Sequence, residues 1–151
     1  MSQRTKPPSK LAIVHAEFER IRKRNDGKLR APDIVDAARP QRAVLHPYFE
    51  WRDGVAAEKW RLEQATRLIR IVVQIIEVNG EQREYRAYAS LSSDRLGKSG
   101  YRSMTAVMSN PVWRAQLLED ALAEMQAFRA RYKSLVELAE VFAVMEKVTL
   151  K

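Results

Sequence analysis

The chain has no cysteine among its 151 residues, which excludes disulfide bonds, a thiol nucleophile and a thiolate zinc site. It also lacks any apolar run near the roughly 20 residues that a membrane-spanning helix needs. Residues 1–8 contain no apolar stretch of the secretory type, and we expect them to form a disordered basic arm. These absences predict a cytoplasmic protein without a membrane partner.

Acidic residues are too few to balance the basic ones, and the net charge is +8. Residues 1–70 contain 16 Lys and Arg against 9 Asp and Glu, whereas residues 71–151 contain 11 against 10. The excess positive charge therefore belongs almost entirely to the first half of the chain. Such a distribution favours a polyanionic partner, although a generally basic soluble surface is the alternative.

The sequence motifs of common enzymes are also missing. There is no nucleophile elbow, no paired histidines and no HExxH sequence, and we predict that the protein is not an enzyme and has no cofactor. The side chains considered as metal ligands are His15, His46, Glu50 and Asp53. Their spacing matches no ligand pattern, so no metal site is expected.

Two short helices are predicted near the start of the chain. Ser9 is a natural N-cap for a helix over residues 10–24, and Pro32 precedes a second helix over residues 33–39. The residues that helical spacing assigns to the core are Leu11, Val14, Phe18, Ile21, Ile34, Val35 and Ala38.

A third helix runs directly into a β-hairpin. Asp53 is the expected N-cap of a helix to residue 70, and the Asn79-Gly80 pair predicts a two-residue turn between strands 71–78 and 83–91. That turn places Val78 opposite Glu81. The core face of the helix is predicted to be Val55, Leu62, Ala65 and Ile69.

This order of elements predicts an α+β, mainly helical chain with a winged-helix-like domain over residues 9–92, made of three helices and a β-hairpin. A basic Gly/Ser linker with a short helical turn is expected over residues 93–110. Asn110 and Pro111 then begin a helical pattern that continues to about Lys147. Residues 111–151 are expected to be an oligomerisation element, either one long helix or a helical hairpin that folds back near residues 131–133.

An apolar stripe along this last segment needs a partner, and it predicts a homodimer or a higher homo-oligomer. The residues assigned to oligomerisation are Leu118, Met125, Phe128, Tyr132, Leu135 and Phe142.

The basic residues predict contacts with duplex DNA by the third helix, the hairpin and a glycine-containing loop at 95–102. The residues assigned to DNA binding are Lys59, Arg61, Gln64, Arg67, Arg70, Arg83, Arg86, Arg95, Lys98 and Arg102. Four acids oppose this interpretation, because Glu58, Glu63, Glu77 and Glu81 would repel phosphates. An ordinary core helix with a solvated charged face remains the alternative.

The stretch from Leu45 to Arg70, Leu-His-Pro-Tyr-Phe-Glu-Trp-Arg-Asp-Gly-Val-Ala-Ala-Glu-Lys-Trp-Arg-Leu-Glu-Gln-Ala-Thr-Arg-Leu-Ile-Arg, resembles one found in uncharacterised small basic proteins encoded by phages and prophages. The resemblance extends to residues 85–91, 100–102 and 113–120. It implies a phage or mobile-element setting in a bacterial host cell, and it brings no activity and no site residues.

We therefore expect a phage-type DNA-binding protein that contacts the duplex mainly through its backbone, as a regulator or a packaging accessory. Such a protein would be nucleoid-associated in the bacterial cytoplasm. The alternative is a non-enzymatic oligomeric adaptor or scaffold that assembles through its C-terminal helix. RNA binding through the 95–102 loop is a third hypothesis.

Overall fold

The computed structural model describes residues 8–52, 54–96 and 100–149. Residues 1–7 of the expected basic arm, the expected cap Asp53 and the expected DNA contact Lys98 lie outside the described residues. The described part is α+β and mainly helical, with seven α-helices and two small antiparallel sheets. Its elements are α1 (Lys10–Arg24), β1 (Lys28–Leu29), α2 (Ala31–Ala38), α3 (Val55–Ile71), β2 (Val73–Val78), β3 (Glu81–Arg86), β4 (Tyr88–Ala89), α4 (Ser92–Arg95), β5 (Tyr101–Ser103), α5 (Met104–Ser109), α6 (Pro111–Tyr132) and α7 (Ala139–Thr149).

The first two helices form where the sequence predicts them and supply much of the core. The Ser9 hydroxyl accepts a hydrogen bond from the Ala12 amide and so caps α1. The predicted core positions are buried apart from Leu11, which is 36% exposed because α1 begins only one residue before it. The buried members of this set are Val14, Phe18, Ile21, Ile34, Val35 and Ala38.

The passage from α3 into the hairpin is confirmed. Asn79 and Gly80 both have positive φ angles, of 54° and 80°, which a two-residue turn of this kind requires. Val78 pairs with Glu81 and Ile76 with Arg83, as the turn length predicts. Ala65 and Ile69 face the core from α3.

The return strand of the hairpin is shorter than predicted. It ends at Arg86, and the next residues enter a different sheet as β4, which pairs with β5. The other neighbour of β5 is β1, so the three-stranded sheet has the order β1-β5-β4 and does not include the hairpin. The short helical turn predicted within residues 93–110 corresponds to α5, but the prediction of a linker is corrected, because this segment supplies the middle strand of that sheet and the fully buried Val107.

A buried carboxylate holds this sheet to the helices around it. Asp94, on α4, is 4% exposed and receives two hydrogen bonds from Arg102, at 2.9 and 2.7 Å. The Lys28 ammonium lies 3.2 Å away, and the Leu91 amide also donates to this carboxylate. Burial by itself raises the pKa of Asp94, but the bonds from Arg102 and Lys28 outweigh it and hold the pKa below the ordinary value. The ion cluster thus joins β1, α4 and β5.

The C-terminal segment is a helical hairpin, so the single-helix alternative is excluded. The rings of Phe128 on α6 and Phe142 on α7 meet edge to face with their centroids 6.2 Å apart, and Arg129 pairs with Glu146. Phe142 is only 7% exposed. Its assignment to an intermolecular contact is therefore corrected, because α6 of the same chain covers it. Leu118 and Leu135 remain 58% and 46% exposed.

Among the described residues, none of the helices combines the length and apolar character that crossing a bilayer requires.

We predict that Asp94→Asn lowers the free energy of unfolding by about 3 kcal/mol at neutral pH, because it leaves Arg102 and Lys28 without a buried counter-charge. Because folding lowers the pKa of Asp94, its stabilising effect is complete above the unfolded value near 3.8 and is lost as the pH falls through the folded pKa. Urea unfolding between pH 7 and pH 2 should show a smaller acid-induced loss of stability in the variant.

Asp36→Asn is the matched control, because the Asp36 side chain is 72% exposed and its pair with Arg39 lies at the surface. It should change the free energy of unfolding by less than about 0.5 kcal/mol. Equal effects of the two substitutions would contradict the role given to Asp94.

Candidate nucleic-acid interface

Arg61 is not a surface residue. It is 6% exposed, and its Nε donates to the Glu50 carbonyl at 2.9 Å. The guanidinium also pairs with Glu58 at 3.0 Å and lies 5.0 Å from the centre of the Trp51 ring. The prediction of a DNA contact is corrected at this position: Arg61 fastens the loop before α3 to the helix.

The side chain of Gln64 is committed to the same loop. Its Oε1 accepts a hydrogen bond from the Glu50 amide at 3.2 Å. A glutamine reads adenine by using the carbonyl and the NH2 group of its side-chain amide together. Since the carbonyl is occupied, the predicted base-reading role of Gln64 is not supported by its contacts.

Arg102 is a second arginine whose side chain makes contacts within the fold. Its two bonds to Asp94 neutralise it, and its guanidinium stacks over the Trp113 ring at 4.3 Å. The side chain is 18% exposed. The prediction of a phosphate contact at Arg102 is therefore corrected, because this residue joins β5 to the beginning of α6.

The outer face of α3 keeps its charge in solvent. Lys59 is exposed, and Arg67 is 65% exposed. Arg67 lies 3.6 Å from Glu63, and its guanidinium is 5.1 Å from the centre of the exposed Trp60 ring. An exposed ion pair of this length contributes little free energy, so a phosphate can replace Glu63 as the partner of Arg67.

The tip of the hairpin is a poor phosphate site. Arg83 pairs with Glu81 at 3.0 Å, and Glu77 is exposed nearby on the opposite strand. Arg86 differs, because it stands at the far end of β3 opposite Val73, where the hairpin meets α3.

Three of the arginines predicted to contact DNA line the same cleft. Arg70 from the end of α3, Arg86 from the end of β3 and Arg95 from the end of α4 line a cleft of about 700 Å³. Arg95 donates to the Ser90 carbonyl at 3.2 Å. Within the described part of the chain, none of the three forms an ion pair. Their positive charge is therefore available to an anion.

The wall of the cleft that α6 supplies is acidic. Asp120 and Glu124 line it, together with Leu117. The Asp120 carboxylate accepts a hydrogen bond from the Ser92 amide at 2.9 Å, which fixes α6 against α4. The lining of the cleft therefore contains three positive and two negative charges, so its net charge is positive.

Sequence reasoning missed this acidic wall and the ion cluster at Asp94. The three arginines are separated by 16 and 9 positions, and α6 enters the cleft from more than 20 positions further on. No local spacing signals such a meeting. The sequence predicted the three arginines as separate contacts from the third helix, the hairpin and the 95–102 loop, and it did not predict that they line one cleft.

The candidate metal ligands that the structure describes are not grouped. His46 donates a hydrogen bond from Nδ1 to the Ala38 carbonyl at 2.9 Å and stacks on Trp51. No group of three or more potential ligands comes together among the described residues.

Comparison of the chain with models of protein families, with curated proteins and with solved structures finds no match.

We predict that Arg61→Ala destabilises the protein by about 2–3 kcal/mol, because it removes buried hydrogen bonds and the packing on Trp51. Urea unfolding followed by tryptophan fluorescence measures this loss. Arg67→Ala removes the same kind of side chain from the surface and should change stability by less than about 0.5 kcal/mol. A fall in DNA affinity on Arg61→Ala with stability unchanged would show that the structural assignment is mistaken.

Proposed function

We propose that this protein binds duplex DNA through the phosphate backbone, with little reading of base sequence. The observation that carries the proposal is the convergence of Arg70, Arg86 and Arg95 on one cleft, without ion-pair partners among the described residues. Arginine suits this role because its planar guanidinium forms paired hydrogen bonds with phosphate oxygens.

The cleft continues into a mainly basic track on α3. Lys59, Glu63, Thr66 and Arg70 share one side of the helix, with Arg67 at its flank, so the track contains one acid. From Lys59 to Arg70 the track is about 16 Å long, at 1.5 Å per residue. Each strand of a duplex carries one phosphate for every roughly 3.4 Å of axis, so several phosphates fall within reach of the track.

Backbone contact is favoured over base recognition for a specific reason. The two α3 side chains best suited to hydrogen bonding in a groove, Arg61 and Gln64, are occupied within the protein. The side chains of α3 that remain available to DNA are the cations Lys59, Arg67 and Arg70, and cations that contact phosphates position a protein without reading the sequence. The acidic wall on α6 further limits how deeply a strand enters the cleft.

The order of helices and hairpin supports a winged-helix-like arrangement, which stays part of this proposal. In it, β1 pairs with β5, while the hairpin forms its own sheet beside α3. A regulatory or packaging role in a phage or prophage is what the sequence resemblance implies, and it too stays a prediction.

A second candidate function is that of an oligomeric adaptor. The exposed apolar side chains of the C-terminal hairpin favour it, since Leu118, Val144 and Val136 are 58%, 59% and 80% exposed. Soluble proteins rarely leave a large apolar surface without a partner. An adaptor would show self-association and no affinity for nucleic acid.

We predict that the affinity for a labelled 20-base-pair duplex falls steeply with salt, because each neutralised phosphate releases counterions. The double variant Arg70→Gln/Arg86→Gln should bind at least tenfold more weakly at low salt. Its slope of log affinity against log salt should decrease by about 2, since each phosphate contact contributes about 0.9. Fluorescence anisotropy across a salt titration measures both quantities.

The matched control is Arg131→Gln/Lys133→Gln, which removes the same charge from exposed positions at the turn of the C-terminal hairpin. It should leave the salt slope nearly unchanged. Equal weakening by the two double variants would mean that net charge alone drives binding, and absence of binding at low salt would refute the proposed function.

Competition separates the classes of nucleic acid. An unlabelled duplex of random sequence should displace the labelled duplex as well as the identical duplex does, because base edges are not read. Single-stranded RNA of the same length should compete more weakly, since its flexible backbone does not present phosphates along a rigid track. Stronger competition by RNA would favour the hypothesis of an RNA-binding protein instead.

A further inference from the structure

An apolar groove lies on the neighbouring side of α6 and shares Leu117 and Ala121 with the basic cleft. It has a volume of about 710 Å³ and runs from the end of α5 along the first turns of α6. Met108, Pro111, Leu117 and Leu118 line it, together with Arg114. Leu118 is 58% exposed and Met108 is 48% exposed, so the groove is open to solvent in the single chain.

The same chain carries an apolar stripe without a partner on α7. Val141, Val144 and Val148 are 50%, 59% and 48% exposed. Their spacing of three and four residues places them together on one side of the helix. Glu140 is exposed beside the first of these valines, and Lys147 is exposed beside the last.

The valine stripe cannot reach the groove of its own chain. The opposite side of α7 packs on the end of α6, where Phe142 meets Phe128 and Glu146 pairs with Arg129. This packing orients the valines away from α6. The groove and the stripe are therefore two apolar surfaces of one chain that only a second copy can bring together.

We propose that two copies of this chain form a dimer in which the valine stripe of each α7 lies in the α6 groove of the other. The exposed charges of the two surfaces are complementary at one end. When the docked α7 runs parallel to α6, its Glu140 meets Arg114 of the groove, and its Lys147 lies beside Ala121.

The lengths also agree. About 10 Å of helix separates Glu140 from Lys147, and the same length separates Arg114 from Ala121 at the end of the groove. A two-fold axis makes the contact reciprocal, so both stripes and both grooves are covered at once and the assembly closes at two copies. The valines of α7, which the sequence did not assign to oligomerisation, are the centre of this interface.

Sedimentation equilibrium of the full chain tests the proposal. The unmodified protein should be a dimer at micromolar concentrations, and Val144→Glu or Leu118→Glu should weaken dimerisation at least tenfold. Val112→Glu is the matched control, because Val112 is 73% exposed on α6 and does not line the groove. It should leave the dimer intact.

A charge-exchange experiment distinguishes the loss of the interface from a folding defect. Arg114→Glu and Glu140→Arg should each weaken the dimer, and the double variant should restore it, since the pair is then reversed and not lost. A monomer at all concentrations, a dimer unaffected by Val144→Glu and Leu118→Glu, or a double variant no better than the singles would overturn the proposal. DNA binding is measured separately, so failure here leaves the proposed function standing.

Discussion

The buried carboxylate of Asp94 is the constraint on which the rest of the structure depends. A charge with only 4% exposure is costly unless it is paired, and Arg102 and Lys28 supply that pairing. Because the two cations come from β5 and β1, the cluster fixes the three-stranded sheet against α4. Arg102 then stacks on Trp113, so the same guanidinium positions the start of α6. This one cluster therefore positions the start of α6, the helix that lines both the cleft and the groove.

Arginines that look equivalent in the sequence divide into two groups once burial is known. Arg61 and Arg102 are largely buried, and their hydrogen-bonding groups are satisfied by carbonyls, carboxylates and aromatic rings. Arg70, Arg86 and Arg95 stand at the ends of three different elements, where a side chain extends past the end of the backbone pairing. The number of arginines available to a ligand is therefore smaller than the number that the sequence predicted, and the available arginines lie closer together.

Interactions between residues close in sequence made much of the fold predictable. Caps, helical spacing and the Asn79-Gly80 turn each act within a few residues, and the helices near the N-terminus and the register of the hairpin follow from them. The sheet made of β1, β5 and β4 was not predictable in this way, because strands of two or three residues carry no periodicity. The pairing of β1 with β5 also depends on contacts between residues more than 70 positions apart, such as Leu29 with Tyr101.

The position of α6 links the two surfaces for which we propose ligands. Leu117 and Ala121 line both the basic cleft and the apolar groove, so a single layer of side chains separates them. This half of α6 has no fully buried residue and is held mainly by Trp113 and by the Asp120 bond to Ser92. A second chain seated in the groove would add packing to a helix that has little of its own. The acidic wall would then be held more firmly beside the three arginines, and the proposed dimerisation would be coupled to the shape of the cleft for which we propose phosphate binding.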